Sequence, residues 1–217
     1  MVAGVGDTTL PSGVELYLLG VDGSARAVDS ERAGPLVTAT DGLRFIDDGQ
    51  FARYFVGDAG TSPQRPSNAT YKLGVVRPHS AFTPHAHGGE HFVLSLGYAS
   101  CGLYDDRRQA VVQIRLTPGS MLRIPALMPH SFGNRAGTPL LILAANTGFG
   151  IDHEDYAITA EEAERRAATG GDGSDHLMLA KALRAVEAAP DTLGGTSRRE
   201  RVAAALRRLA ARLEGTR

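Results

Sequence analysis

Residues 83–93 read Thr-Pro-His-Ala-His-Gly-Gly-Glu-His-Phe-Val, and the histidines at 85, 87 and 91 decide how the rest of the chain is read. In an extended segment, side chains two apart point the same way, so His85 and His87 face one side and can grip one ion through imidazole nitrogen. Gly88 and Gly89 then let the chain turn into a following strand, which returns Glu90 or His91 to the neighbourhood of that pair. A fourth ligand has to arrive from elsewhere, and Pro129-His130 supplies it. A His-x-His pair alone is often a solvated surface feature. Its partners at 91 and 130 turn it into a candidate metal site.

Around this stretch, residues 14–148 form a succession of short apolar runs rich in β-branched and aromatic residues, broken by Gly, Pro, Asp and Asn. Runs at 14–21, 43–46, 51–56, 71–76, 91–96, 111–116, 121–124 and 140–145 predict strands. Many short strands with few helical patterns between them point to an all-β sandwich or barrel. Residues 58–68 read as a surface loop.

The pattern changes after Gly150. Thr159 with Glu162, and Ser197 with Glu200, are capping boxes that open helices. A further helix is expected over residues 175–189, ended by Pro190. The chain thus divides into a β-barrel with its N-terminal strands over residues 1–150 and a helical tail over 151–217. In the last helix Val202, Leu206, Leu209 and Leu213 share one face, which is expected to pack on the barrel or on a second subunit while the arginines face water. Seven arginines against Glu200 and Glu214 make this region locally basic.

A chain of 217 residues with 42% hydrophobic content has enough apolar surface for a proper core. Its formal net charge of -1 gives no global attraction to nucleic acid or an anionic membrane, so a small-molecule partner is expected and neither of those is. The single cysteine, Cys101, excludes an internal disulfide framework and a Cys-based zinc cluster, and the cytoplasm is the default compartment. Nothing in the opening residues resembles a secretion signal. Any metal site must be built from imidazole and carboxylate, for which the chain holds seven histidines.

The motif residues resemble the cupins over both sequence signatures of that superfamily. The first has a glycine, five residues, His-x-His, three or four residues, glutamate, six residues and another glycine. Here His79 stands where the first glycine is usual, and His85 and His87 fall in register. Counting forward from His87 puts the third ligand at His91, whereas counting back from Gly97 puts it at Glu90. His91 is favoured because it directly precedes the run Phe92-Val93-Leu94, with Glu90 the alternative. The second signature, glycine, five residues, Pro-x-Gly, two residues, His, three residues, Asn, is met by Gly119, Pro125, His130 and Asn134. Leu127 alone departs from it, standing where glycine is usual.

The resemblance implies an all-β cupin fold, a double-stranded β-helix of jelly-roll type, with a C-terminal α-helical appendage. It also implies one divalent metal per chain on His85, His87, His91 and His130, and pairing of two barrels into a homodimer. Imidazole suits iron, zinc, copper and nickel, with manganese a further candidate, and Fe(II) is favoured. Histidine-rich cupins similar to this one include dioxygenases acting on small chelating substrates with O2, and polyketide cyclases. A metal-dependent oxygenase is therefore expected first; the alternatives are redox-neutral Lewis-acid chemistry (cyclase, isomerase or lyase) and a non-catalytic metal-stabilised binding module. Tyr71, Arg77, Cys101, Gln113, Arg123 and Phe132 are candidate catalytic or pocket-lining residues. Ordinary imidazole titration predicts metal loss below pH of about 6 to 6.5.

Overall fold

The computed structural model describes residues 69–147, 157–169, 173–189 and 197–214, together with the strand backbones at 16–19, 25–28, 33–35, 43–44 and 50–56. The expected loop at 58–68 lies outside these residues. Twelve strands are described. They are β1 (Leu16–Leu19), β2 (Ala25–Val28), β3 (Ala33–Pro35), β4 (Leu43–Arg44), β5 (Gln50–Val56), β6 (Ala69–Val76), β7 (Glu90–Ser95), β8 (Ala99–Asp105), β9 (Ala110–Leu116), β10 (Met121–Ile124), β11 (His130–Asn134) and β12 (Leu140–Thr147). All pairings are antiparallel. One sheet has the order β10-β7-β12-β6-β5-β4, a second β11-β8-β9, and a third, β1-β2-β3, stands apart in pairing.

The core lies between the first two sheets. Val76, Val93, Ile124, Leu140, Ile142 and Ala144 come from the larger sheet, and Ala99, Cys101, Leu116 and Phe132 from the smaller one. Strand alternation explains the choice of side. In β7, His91, Val93 and Ser95 are buried while Glu90, Phe92 and Leu94 are less so. The same face does not continue through Gly97 to Cys101, because β7 ends at Ser95 and β8 belongs to the other sheet.

Two positions where the signatures resembled by this sequence have glycine hold other residues here, and both lie in the left-handed region: His79 at φ 54° and Leu127 at φ 59°. A side chain with a Cβ is strained there by roughly 1 kcal/mol or more. At Leu127 the unusual backbone has a use, since its N–H donates to the His87 carbonyl at 2.8 Å. Gly119, at φ 90°, forms the turn between β9 and β10.

Asn134, at the end of β11, ties this region together. Its side-chain amide donates to the carbonyls of Val76, Arg77 and Thr138, and its Oδ1 accepts from the Ala136 N–H. The asparagine of the second signature is thus a structural clasp.

The tail forms α1 (Ala160–Thr169), α2 (Gly173–Ala188) and α3 (Arg198–Glu214). Ser197 and Glu200 form the full reciprocal box: the Ser197 N–H donates to Glu200 Oε2 at 2.6 Å and the Glu200 N–H to Ser197 Oγ at 3.2 Å. At α1 only the Thr159 half forms, because the Glu162 carboxylate turns to Arg165 and Arg166. Helix α1 packs on α2 through Ile158, Ala163, Ala180 and Leu183. Helix α2 meets the smaller sheet through Ala182, Val186 and Tyr104. Helix α3 is held to the barrel by Glu200, which pairs with buried Arg135 at 3.2 Å and with Arg115 at 3.3 Å. Of the two expectations for its apolar stripe, packing on the barrel is corrected: Val202, Leu206, Leu209 and Leu213 are exposed on this chain. Polar side chains, not the leucines, make the contact with the barrel: besides Glu200, Arg207 donates to the Tyr98 hydroxyl at 2.7 Å, so this arginine does not face water as expected.

Two substitutions separate strain from clasp. Leu127→Gly is expected to raise stability by about 0.5–1 kcal/mol in urea denaturation, since half-exposed Leu127 loses little burial and the left-handed strain is relieved. Asn134→Ala is expected to lower it by about 2–4 kcal/mol, because three carbonyls and one N–H lose their partner.

Candidate metal centre

Each imidazole is placed by a different element. His85 lies in the strand-like approach to β7, where its backbone forms a reciprocal pair with His130: N–H to carbonyl at 3.0 Å in both directions. The next residue, Ala86, turns outward and forms a second reciprocal pair with Ile158, at 3.0 and 2.8 Å. The His-x-His segment is therefore clamped from one side by β11 and from the other by the start of the helical tail. Because alternation sends Ala86 outward, it sends His85 and His87 inward. His130 opens β11, and His91 enters from β7.

The four rings form one buried cluster. Centroid separations are 4.8 Å for His85 and His87, 4.6 Å for His85 and His130, 4.3 Å for His87 and His91, and 5.2 Å for His91 and His130. One nitrogen from each of His85, His87 and His130 lies within 4.8 Å of the others, so these three can hold a single ion, with His91 beside them. The remaining nitrogens are already engaged. Nδ1 of His85 bonds the Thr83 carbonyl at 2.7 Å, Nδ1 of His130 the Met128 carbonyl at 2.9 Å, and Nδ1 of His91 the Asn146 Oδ1 at 2.9 Å. A carbonyl accepts, so in His85 and His130 the proton sits on Nδ1 and the lone pair on Nε2. The His130 Nε2 is buried and makes no hydrogen bond. Such an orphan costs about 1–3 kcal/mol, which a bound cation would remove. The donor set thus fits a divalent metal.

Glu90 is not part of this cluster. Its carboxylate is paired with Arg123 at the surface. The reason is parity on β7: His91 faces inward, so its neighbour faces out. Arg123, proposed from the sequence as pocket-lining, is accordingly exposed. Arg77 is exposed as well, past the end of β6, and Tyr71 is 39% exposed because β6 turns its even-numbered residues to the cluster. Cys101 lies in the apolar core, where burial raises its thiol pKa, and Gln113 packs over Gly102 on the outer cleft beside Pro84. Of the six candidates, Phe132 lines the cavity, its ring 5.8 Å from that of His130.

The residue that sequence reading overlooked is Lys72. It lines the same cavity, is 4% exposed, and burial lowers its pKa to about 7. The parity that excludes Tyr71 points to Lys72, but only once the face of β6 is known. Asn146 was also missed, although it orients His91 from the neighbouring strand. The cavity is lined otherwise by Gly74, Phe82, Ile142 and Ala144 and encloses about 20 Å³, of the order of one water molecule.

Two antiparallel sheets enclose these inward imidazoles, with the ligand positions set by both signatures. The arrangement is cupin-like, as the two signatures imply. No protein-family model matches the sequence, and no curated protein matches it. Among solved structures the chain is similar to a cupin domain from Bordetella pertussis, with 14% identity over 46% of this chain and 94% of that one, at a TM-score of 0.36. It is also similar to oxalate decarboxylase from Lactobacillus farciminis, at 18% identity, 70% and 42% coverage and a TM-score of 0.45. A third likeness is to the DMSP lyase of Ruegeria pomeroyi, at 19% identity, 52% and 54% coverage and a TM-score of 0.38. At these identities the chemistry of this chain has to be argued from its own residues.

Burial also revises the pH expectation. Desolvation, reinforced by the neighbouring imidazoles, holds His85, His87 and His91 well below the usual histidine range, and burial pulls His130 down to about 4. Protons then compete for the lone pairs only in more acid solution, and metal is expected to stay bound at pH 5 on dialysis. For the metal-free protein the folded imidazoles stay neutral while the unfolded ones charge below about 6.5. Its stability is therefore full above that pH and is expected to fall as pH drops toward about 4, read by thermal melts across the range. In elemental analysis, His130→Ala is expected to abolish metal uptake and His91→Gln to weaken it, whereas Glu90→Gln leaves it unchanged.

Proposed function

We propose that this cupin is a mononuclear metal-dependent enzyme acting on a small organic substrate, and that its reaction is an oxygenation using O2 and Fe(II). The observation that carries this reading is the all-imidazole donor set, with the neighbouring carboxylate turned away to Arg123. Such a set donates no negative charge, so a bound divalent ion would supply strong Lewis acidity and, for iron, redox chemistry toward O2. His85, His87 and His130 would hold it, with His91 as the fourth ligand oriented by Asn146. The chain's own contribution is a dry, apolar wall of Phe82, Phe132 and Ile142, which excludes bulk water from the reacting groups.

A redox-neutral reaction is the second reading, and Lys72 is what favours it. An amine with its pKa lowered to about 7 can give or take a proton near neutrality, as isomerase or lyase chemistry requires. The two readings part on oxygen. Loaded anaerobically with Fe(II) and mixed with a panel of enolisable and catecholic acids, the protein is expected to consume O2 in proportion to substrate. Turnover without O2 uptake, and equally good turnover with Zn(II), would assign the redox-neutral reaction instead.

A further inference from the structure

We propose that the cleft between α3 and the barrel is a second ligand site, separate from the imidazole cluster, and that it takes a small organic anion with an apolar body. The inference does not depend on the metal-centred reading above.

The first ground is size and place. The cleft encloses about 420 Å³, within the range of roughly 300–1,000 Å³ usual for small-molecule sites, whereas the cavity beside the imidazoles encloses about 20 Å³. The two share no described lining residue. The barrel wall of the cleft starts at Leu96, just past the end of β7, while His91 stands near the start of that strand, about 16 Å away along it.

The second ground is the orientation of α3. Glu200, Arg201, Ala204, Arg207 and Arg208 line the cleft, at steps that put them on one helical face. Val202, Leu206, Leu209 and Leu213 do not line it and are exposed. Arginines with no task but solvation would face water, with the leucines beneath them against the barrel. Here the order is reversed, and Glu200 fixes it through Arg115 and Arg135. The opposite wall is apolar, formed by Leu96, Pro118, Pro139, Leu140 and Leu141. A cationic wall and an apolar wall therefore face each other across open space, and a ligand that satisfies both has a charged head and an apolar body.

The third ground is the sign of the charge. Glu200 is the one carboxylate among the described lining residues, and it is already engaged by Arg115, Arg135 and the Ser197 N–H. Arg201 and Arg208 form no ion pair with a described residue. Arg207 donates to a neutral acceptor, the Tyr98 hydroxyl, at 2.7 Å. Tyr98 is 7% exposed and lines the cleft, and its hydroxyl hydrogen has no acceptor among the described residues. Arg201 and Arg208 stand two turns apart, about 10 Å along the helix, with Ala204 between them. An oxyanion seated over Ala204 lies between two guanidinium forks, whose geometry matches a carboxylate.

The test is calorimetric titration of the full chain with octanoate, and with 1-octanol as the neutral analogue of equal length, repeated after chelator treatment. Octanoate is expected to bind saturably and equally well with and without chelator. The double substitution Arg201→Gln, Arg208→Gln is expected to weaken octanoate by about tenfold or more and to leave octanol within about twofold. Arg199→Gln, on the same helix but outside the cleft, is expected to leave octanoate within about twofold. Ala204→Phe, which fills the cleft, is expected to weaken both ligands, and it serves if the double variant does not fold. The proposal is overturned by any of four results: no saturable octanoate binding, octanoate binding lost with chelator, equal weakening by Arg199→Gln and the double substitution, or octanoate binding that survives Ala204→Phe. Equal weakening of octanol and octanoate in a folded double variant also overturns it, since the arginines then do not read charge.

Discussion

Two reciprocal backbone pairs, His85 with His130 and Ala86 with Ile158, hold the segment on which the rest of the site depends. Imidazoles buried in an apolar cavity are neutral and repel one another when charged, so nothing in their own chemistry gathers them. The gathering is done by backbone hydrogen bonds that leave His85 and His87 no direction except inward. Because one of those pairs comes from residue 158, the helical tail contributes to the site's geometry. The expected division at residue 150 describes a change of secondary structure, while the hydrogen bonds run across it.

The site is built by opposition of parity. On β7, His91 inward requires Glu90 outward, and Arg123 on the adjacent strand β10 meets the displaced carboxylate. On β6, Lys72 inward requires Tyr71 outward. Each of these choices follows from its own strand's register, and a slip of a single residue on β7 would reverse the faces of that strand. It would remove one imidazole from the cluster and admit a carboxylate, changing an all-nitrogen donor set to a partly anionic one.

The glycine departures show how local strain and site are linked. Leu127 and His79 occupy left-handed backbone that glycine would adopt without cost, and the chain retains the backbone shape despite the side chains. At Leu127 this shape turns an N–H toward the His87 carbonyl.

The strand runs, the capping residues and the His-x-His spacing were legible in the sequence, because each is a local pattern of period two, period 3.6 or fixed turn chemistry. So were His85, His87, His91 and His130, since motif spacing is a statement about neighbours along the chain. Which faces of β6 and β10 look inward was not legible: both sides of Leu73 and Lys72 are buried, and alternation without a visible polar face has two solutions. Only the pairing of β6 with β12, of β12 with β7 and of β7 with β10 chose between them, placing Lys72 and Asn146 by the imidazoles and sending Tyr71 and Arg123 to the surface. The amino-acid order determined the spacing of the histidines and the pattern of strands. The tertiary structure alone decided the charge of the cavity around them, because that depends on strand register, which is set by contacts far apart in the chain.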